Sequence, residues 1–118
     1  MKTIGVMHML LVQDMERAIK FYEKTFDFKI LQKSDFWTNL DSGHGKVALC
    51  SFGNKAELKE TTLIIEVDNY KEAVDRIKQY GGQVLNVAEP YEGAPVYNVI
   101  AIDPENNKIV ASQVVTSG

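Results

Sequence analysis

The chain contains few side chains that commonly perform chemistry. It has two histidines and one cysteine among 118 residues. His8 and Cys50 fall in short apolar segments, and His44 lies between two glycines. A nucleophilic cysteine needs an adjacent base or cation, and none accompanies Cys50 in the sequence. Zinc-protease, phosphate-loop, dinucleotide and paired-cysteine motifs do not occur. The sequence therefore identifies no catalytic residue.

Three other side chains are candidates for binding a ligand. Glu66 follows an apolar run, where a carboxylate is costly unless it is paired or solvated. It is therefore either a contact for a cationic or donor-rich ligand, or a solvated residue at a rim. Asn98 offers a donor and an acceptor among apolar neighbours. Trp37 is either a stacking surface or a core residue, because the register of its strand is open.

The elements that position these residues occur in two similar sets. In the first, an apolar strand over 6–12 precedes a helix that Asp14 caps and that ends near Phe26. In the second, a strand over 63–67 precedes a helix that Asn69 caps and that Gly81-Gly82 ends. Further strands are predicted over 28–32, 35–40, 47–52, 83–87, 96–102 and 108–114.

The two sets align along the chain with one constant offset. Val12 corresponds to Val67, Ala18 to Ala73 and Ile30 to Leu85. The segments that begin at Lys46 and Lys108 align at a slightly larger offset. Three strands follow each helix, whereas a ferredoxin-like unit has one strand before its helix and one after it. The sequence therefore predicts two βαβββ units, each too small to bury both faces of its sheet alone.

Composition limits the class of protein. The formal net charge of −3 and the pI of about 5.3 argue against nucleic-acid binding, which needs a basic face. A single cysteine gives no disulfide framework, and no apolar run reaches membrane-spanning length. We expect a cytoplasmic protein that binds neither nucleic acid nor membrane. We expect one domain over 1–118, with units at about 4–53 and 62–115 and a linker at about 54–61.

Several segments resemble the vicinal oxygen chelate superfamily, which has the glyoxalase, bleomycin-resistance and extradiol dioxygenase fold. In the first half these are Val12-Gln-Asp14, Ala18 and Phe21-Tyr22; in the second half they are Glu66-Val-Asp68, Ala73, Gly81-Gly82 and Asp103-Pro-Glu-Asn-Asn107. Asn106 stands where that turn usually has glycine, and asparagine accepts left-handed backbone angles. The resemblance implies an α+β fold: two tandem βαβββ units form a curved mixed sheet around a cup-shaped cavity, with the helices on the outer face.

In the superfamily's metal-using members, four ligands point into the cup. The matching positions in this chain are Met7, Ala48 (or Leu49 at the other register), Thr62 and Val110. Such metal ions prefer imidazole, carboxylate or thiolate ligands. His8 is one residue away, and strand alternation turns it toward the helices while Met7 faces the cup. The sequence therefore predicts no metal and no cofactor.

These observations favour a metal-free small-molecule-binding protein of the glyoxalase/bleomycin-resistance type that sequesters a drug-like or metabolite ligand in the sheet cavity. The predicted ligand-binding residues are Met9, Leu11, Trp37, Thr62, Glu66, Asn98 and Ile100. The resemblance implies a homodimer. The alternatives are a glyoxalase- or dioxygenase-like enzyme with a non-standard or metal-independent site, and an interaction module whose cup is filled by its own side chains.

Overall fold

The computed structural model describes residue 2 and the ranges 7–51, 62–91 and 95–115. The predicted linker at 54–61 lies outside the described residues. The chain divides into two compact units, Met1–Lys59 and Glu60–Gly118.

The first unit contains one helix and a four-stranded mixed sheet. Its elements are β1 (Met7–Leu11), α1 (Met15–Phe26), β2 (Lys29–Lys33), β3 (Trp37–Asp41) and β4 (Lys46–Cys50). The strand order is β1-β4-β3-β2. The first and last strands of the unit, β1 and β4, pair in parallel, and the other pairs are antiparallel.

The second unit repeats this arrangement. Its elements are β5 (Leu63–Glu66), α2 (Tyr70–Gln79), β6 (Gln83–Ala88), β7 (Val96–Ile102) and β8 (Lys108–Val114). The strand order is β5-β8-β7-β6, again with only the first and last strands, β5 and β8, parallel among the described pairs. The predicted βαβββ repeat is confirmed, and each unit forms its own four-stranded sheet.

Both helices begin at the predicted caps. The side chain of Asp14 accepts a hydrogen bond from the backbone N–H of Arg17 at 3.0 Å. The side chain of Asn69 accepts one from the backbone N–H of Glu72 at 3.1 Å. Each bond satisfies one of the amide donors that have no partner within the first turn of a helix.

Each helix packs on one face of its own sheet. In the first unit this interface buries Leu10, Leu40 and Leu49, and α1 contributes the buried aromatic rings of Phe21 and Tyr22. In the second unit the buried residues include Ile77 of α2, Val99 of β7 and Ile109 of β8. This face carries the alternating apolar residues from which the strands were predicted.

Strand pairing shows how far the two units correspond. Met9 pairs with Ala48 in the first unit, and Ile64 pairs with Val110 in the second. The offset is therefore 55 positions at the first strand of each unit and 62 positions at the last. Insertions confined to the connections account for the difference, since the β6–β7 connection is longer than the β2–β3 connection.

The predicted match of Ile30 with Leu85 is wrong by one residue. Ile30 pairs with Leu40 on the helix-covered face, and its counterpart there is Val84, which pairs with Ala101. The cause lies where the helices end.

The first helix leaves through Asp27, which has a left-handed φ of 60°, and the N–H of Phe28 bonds to the carbonyl of Tyr22. The second helix leaves through Gly81, at φ 97°, and the N–H of Gly82 bonds to the carbonyl of Ile77. The turn that leads from α2 to β6 is therefore one residue shorter than the turn that leads from α1 to β2.

Replacing Thr38 by valine is expected to stabilise the protein. Thr38 is fully buried on the helix-covered face, and its hydroxyl has no hydrogen-bond partner among the described residues. An unpaired buried hydroxyl costs free energy, and valine has nearly the same shape. We expect the free energy of unfolding to rise by about 1 kcal/mol, measured by urea denaturation. A loss of stability would show that the hydroxyl has a partner.

Candidate functional site

Each sheet has a second face, opposite its helix, which we call the open face. In the first unit the strand register places nine side chains of β1, β3 and β4 there: Met7, Met9, Leu11, Trp37, Asn39, Asp41, Lys46, Ala48 and Cys50. They form rows across neighbouring strands. One row is Met9, Ala48 and Asn39, and the next is Leu11, Cys50 and Trp37.

The register settles two positions that the sequence left open. Ala48 lies on the open face, whereas Leu49 is fully buried on the helix-covered face. Trp37 pairs with Cys50 and also lies on the open face, where it is half-buried. The tryptophan is therefore not part of the interface between sheet and helix.

Local hydrogen bonds hold Trp37 at the start of β3. Its backbone N–H donates to the hydroxyl of Ser34 at 3.1 Å, and its carbonyl accepts from the N–H of Ser34 at 2.9 Å. The indole Nε1–H donates to Oδ1 of Asn39 at 2.7 Å. Asn39 is two residues along the strand and therefore on the same face. The pair presents an aromatic ring and an amide together.

The histidines and the cysteine do not form a catalytic group in the described structure. His8 pairs with Val47 on the helix-covered face, as alternation predicts. His44 is exposed in the turn between β3 and β4. Cys50 is buried on the open face between Leu11 and Trp37.

The open face of the second unit carries a different set of side chains. Its middle row is apolar and consists of Ile64, Val110 and Ile100. Ile64 keeps 63% of its surface exposed. By alternation Thr62 lies on the same face, beyond this row.

The next row of the second unit is polar on three adjacent strands. Glu66 on β5 pairs with Ser112 on β8, which pairs with Asn98 on β7. Glu66 is exposed, and the other two are half-buried. Within the described ranges, the carboxylate of Glu66 makes no ion pair or hydrogen bond.

The seven side chains predicted to bind ligand all lie on open faces. Met9, Leu11 and Trp37 are on that of the first unit, and Thr62, Glu66, Asn98 and Ile100 are on that of the second. Sequence reasoning missed Asn39 and Ser112. Counting two residues from Trp37 and from Val110 would have found both, because residues i and i+2 share a face.

Four positions of the two units match the superfamily's metal ligands. Ala48 and Val110 lie on open faces, and alternation places Met7 and Thr62 there too. Alanine and valine have no donor atom, a thioether is a soft ligand, and one threonine hydroxyl is weak. These residues do not fit a divalent metal ion. In the part of the chain that the structure describes, no group of three or more His, Cys, Asp or Glu side chains could hold one.

Neither described helix is long and apolar enough to cross a bilayer. The longer one, α1, has twelve residues and carries charged side chains along its exposed side.

Comparison with known proteins agrees with this architecture. Residues 5–111 match the model of the glyoxalase/bleomycin resistance protein/dioxygenase superfamily. The chain belongs to this superfamily, as the sequence resemblance implied.

Sequence relatives within the superfamily include enzymes. A lactoylglutathione lyase from Escherichia coli O157:H7 is 28% identical over 121 residues, covering 86% of this chain and 85% of the relative. A lactoylglutathione lyase from Neisseria meningitidis serogroup B is 25% identical over 119 residues, covering 86% and 83%.

Solved structures share the fold at lower identity. The fosfomycin resistance protein FosX from Mesorhizobium loti superposes with a TM-score of 0.74 at 20% identity, covering 97% of this chain and 95% of that one. TioX from Micromonospora sp. ML1 gives a TM-score of 0.71 at 17% identity, covering 96% and 98%. These similarities establish the fold alone.

Proposed function

We propose that the protein is a metal-free small-molecule-binding protein of the glyoxalase/bleomycin-resistance type, which sequesters a drug-like or metabolite ligand and acts as a cytoplasmic homodimer. The observation that carries the proposal is the set of side chains at the superfamily's metal positions. Met7, Ala48, Thr62 and Val110 supply no set of donors for a divalent ion, although the fold that presents those positions is intact.

The open faces support binding in place of metal chemistry. Ligand sites are mostly apolar, with a few polar groups that set orientation. The predicted contacts have this mixture: Met9, Leu11 and Ile100 are apolar, and Trp37, Thr62, Glu66 and Asn98 are aromatic or polar. We add Asn39 and Ser112 to the proposed contacts, because they share rows with members of that set.

Metal analysis tests the proposal directly. After expression in medium supplemented with Ni, Zn, Fe and Mn, we expect far less than one metal ion per chain, because four weak or absent donors cannot compete with water and buffer. Inductively coupled plasma mass spectrometry gives the stoichiometry. The Escherichia coli lactoylglutathione lyase, purified in parallel, is the control. About one equivalent of any of these metals would overturn the metal-free assignment.

The enzymatic alternative is favoured by one observation, the 28% identity to lactoylglutathione lyases. It is tested by a lactoylglutathione lyase assay with and without added Ni²⁺ or Zn²⁺, again beside the Escherichia coli relative. We expect no turnover above the uncatalysed rate, since a Lewis-acid mechanism needs ligands to hold the metal. Turnover that added metal stimulates would show that the protein is a metal-dependent enzyme and would overturn the proposed binding function.

A further inference from the structure

The polar row of the second unit has a counterpart in the first unit that is not polar. The matched strand pairs place Leu11, Cys50 and Trp37 where the second unit has Glu66, Ser112 and Asn98. The same fold therefore accommodates apolar and aromatic residues at these three positions. The three polar residues are not required to form the sheet.

The row also carries a negative charge that no ion pair among the described residues compensates. The basic residue of the described β8 strand on this face is Lys108, which pairs with Ile102 and lies four residues from Ser112. Four residues of a strand span about 13 Å, beyond the length of an ion pair and of the Debye screening distance. The Glu66 carboxylate is thus available to a cation from solution.

An apolar surface adjoins the charge. Ile64, Val110 and Ile100 form the next row of the same face, two residues along each strand from the polar row. Two strand residues span about 6.6 Å, so one small molecule can touch both rows. Ile64 is largely exposed and offers its surface beside the carboxylate.

From this juxtaposition we infer that the open face of the second unit binds amphipathic organic cations. The positively charged head lies against Glu66, Ser112 and Asn98, and the apolar body lies against Ile64, Val110 and Ile100. An ammonium group has three donors and no acceptor, which suits a carboxylate, a hydroxyl and an amide oxygen. This inference rests on the proposed function and specifies the chemical class of its ligand.

A matched series of probes tests the inference: hexylammonium, the neutral 1-hexanol and the anionic hexanoate. Each is titrated into ¹⁵N-labelled protein and followed by amide chemical shifts. We expect saturable shifts in β5, β7 and β8, with hexylammonium binding about tenfold more tightly than 1-hexanol because of its charge-assisted hydrogen bonds. Hexanoate should bind most weakly.

Variants separate the charge from the apolar surface. Glu66→Gln should remove the preference for hexylammonium and leave the affinity for 1-hexanol unchanged. Ile64→Ala should weaken both probes in parallel. Glu89→Gln is the matched control, since Glu89 is an exposed carboxylate of the same unit, outside β6 and outside the row. It should bind all three probes as the wild type does.

Three results would overturn the inference. One is equal or tighter binding of 1-hexanol or hexanoate by the wild type, and another is the absence of saturable shifts. The third is unchanged hexylammonium affinity in Glu66→Gln, as expected if the carboxylate only protects the edge strand β5 from pairing with other chains. Binding of 1-hexanol without a preference for the cation would refute the inference about cations but not the proposed binding function. The metal and lyase assays test that function separately.

Discussion

Replacing Phe21 by alanine is expected to lower the free energy of unfolding by about 3–5 kcal/mol, the usual cost of removing a fully buried aromatic ring. Only 1% of Phe21 is exposed, and its ring meets Tyr22 edge-on with centroids 5.0 Å apart and Phe26 at 6.2 Å. The truncation would leave a cavity beneath α1 and remove both aromatic contacts. Urea and thermal denaturation measure the loss.

Phe36→Ala is the matched control for this truncation, because Phe36 is the same residue type with 56% of its surface exposed. It should change stability by less than about 1 kcal/mol. If Phe21→Ala proves too unstable to purify, Phe21→Leu keeps most of the apolar volume and should cost about 1.5 kcal/mol. A Phe21→Ala protein within about 1 kcal/mol of the wild type would contradict the packing of Phe21 beneath α1.

Phe21 also shows how far helical periodicity predicts a core. The predicted stripe of α1 contains Met15, Ala18, Ile19, Tyr22 and Phe26. The first four are buried, whereas Phe26 is half-buried and Phe21, outside the stripe, is among the most buried side chains of the described structure. An amphipathic helix on a sheet buries a wide arc, so residues beside the predicted stripe also reach the core.

The repeat was predicted from the sequence because its signals are local. A cap such as Asp14 or Asn69 acts within one helical turn, and strand alternation acts between neighbouring residues. Short segments that occur twice in the sequence therefore show both signals. The correspondence of Ile30 with Val84 could not be predicted from such segments, because it depends on how each helix ends.

The register of β3 was beyond sequence reasoning for a related reason. The pairing of Trp37 with Cys50 places it on the open face, and Ser34, in the connection from β2, bonds to both its N–H and its carbonyl. Hydrophobic pattern alone does not distinguish the two registers, since β3 carries Trp37 on one face and Leu40 on the other.

The divergence between the two open faces bears on function. Positions that hold Leu11 and Trp37 in one unit hold Glu66 and Asn98 in the other, while the helix-covered faces of both units are mainly apolar. Folding constrains the helix-covered faces, because they form the cores. The open faces are less constrained, and it is there that we place ligand specificity.

Replacing Asp103 by alanine is expected to cost about 2–4 kcal/mol of unfolding free energy, because it removes acceptors for buried donors. Asp103 is 3% exposed in the turn between β7 and β8. Its Oδ1 accepts from the backbone N–H of Glu105 at 2.9 Å and of Asn107 at 2.7 Å. Its Oδ2 accepts from the side-chain amide of Asn107 at 3.2 Å. These bonds shape the predicted Asp-Pro-Glu-Asn-Asn turn, in which Asn106 has a left-handed φ of 66°.

A graded series separates this hydrogen bonding from loss of charge. Asp103→Asn keeps the Oδ1 acceptor and should cost about 1 kcal/mol, since its amide nitrogen faces the amide of Asn107. Asp41→Ala is the control in the corresponding hairpin of the first unit, where Asp41 accepts from the N–H of Gly43 at 2.8 Å in an exposed turn. Water replaces that bond, so the cost there should stay near 0.5 kcal/mol. Equal losses for Asp103→Ala and Asp41→Ala in urea denaturation would refute the role assigned to Asp103, which is buried and accepts three hydrogen bonds where Asp41 accepts one from Gly43 in an exposed turn.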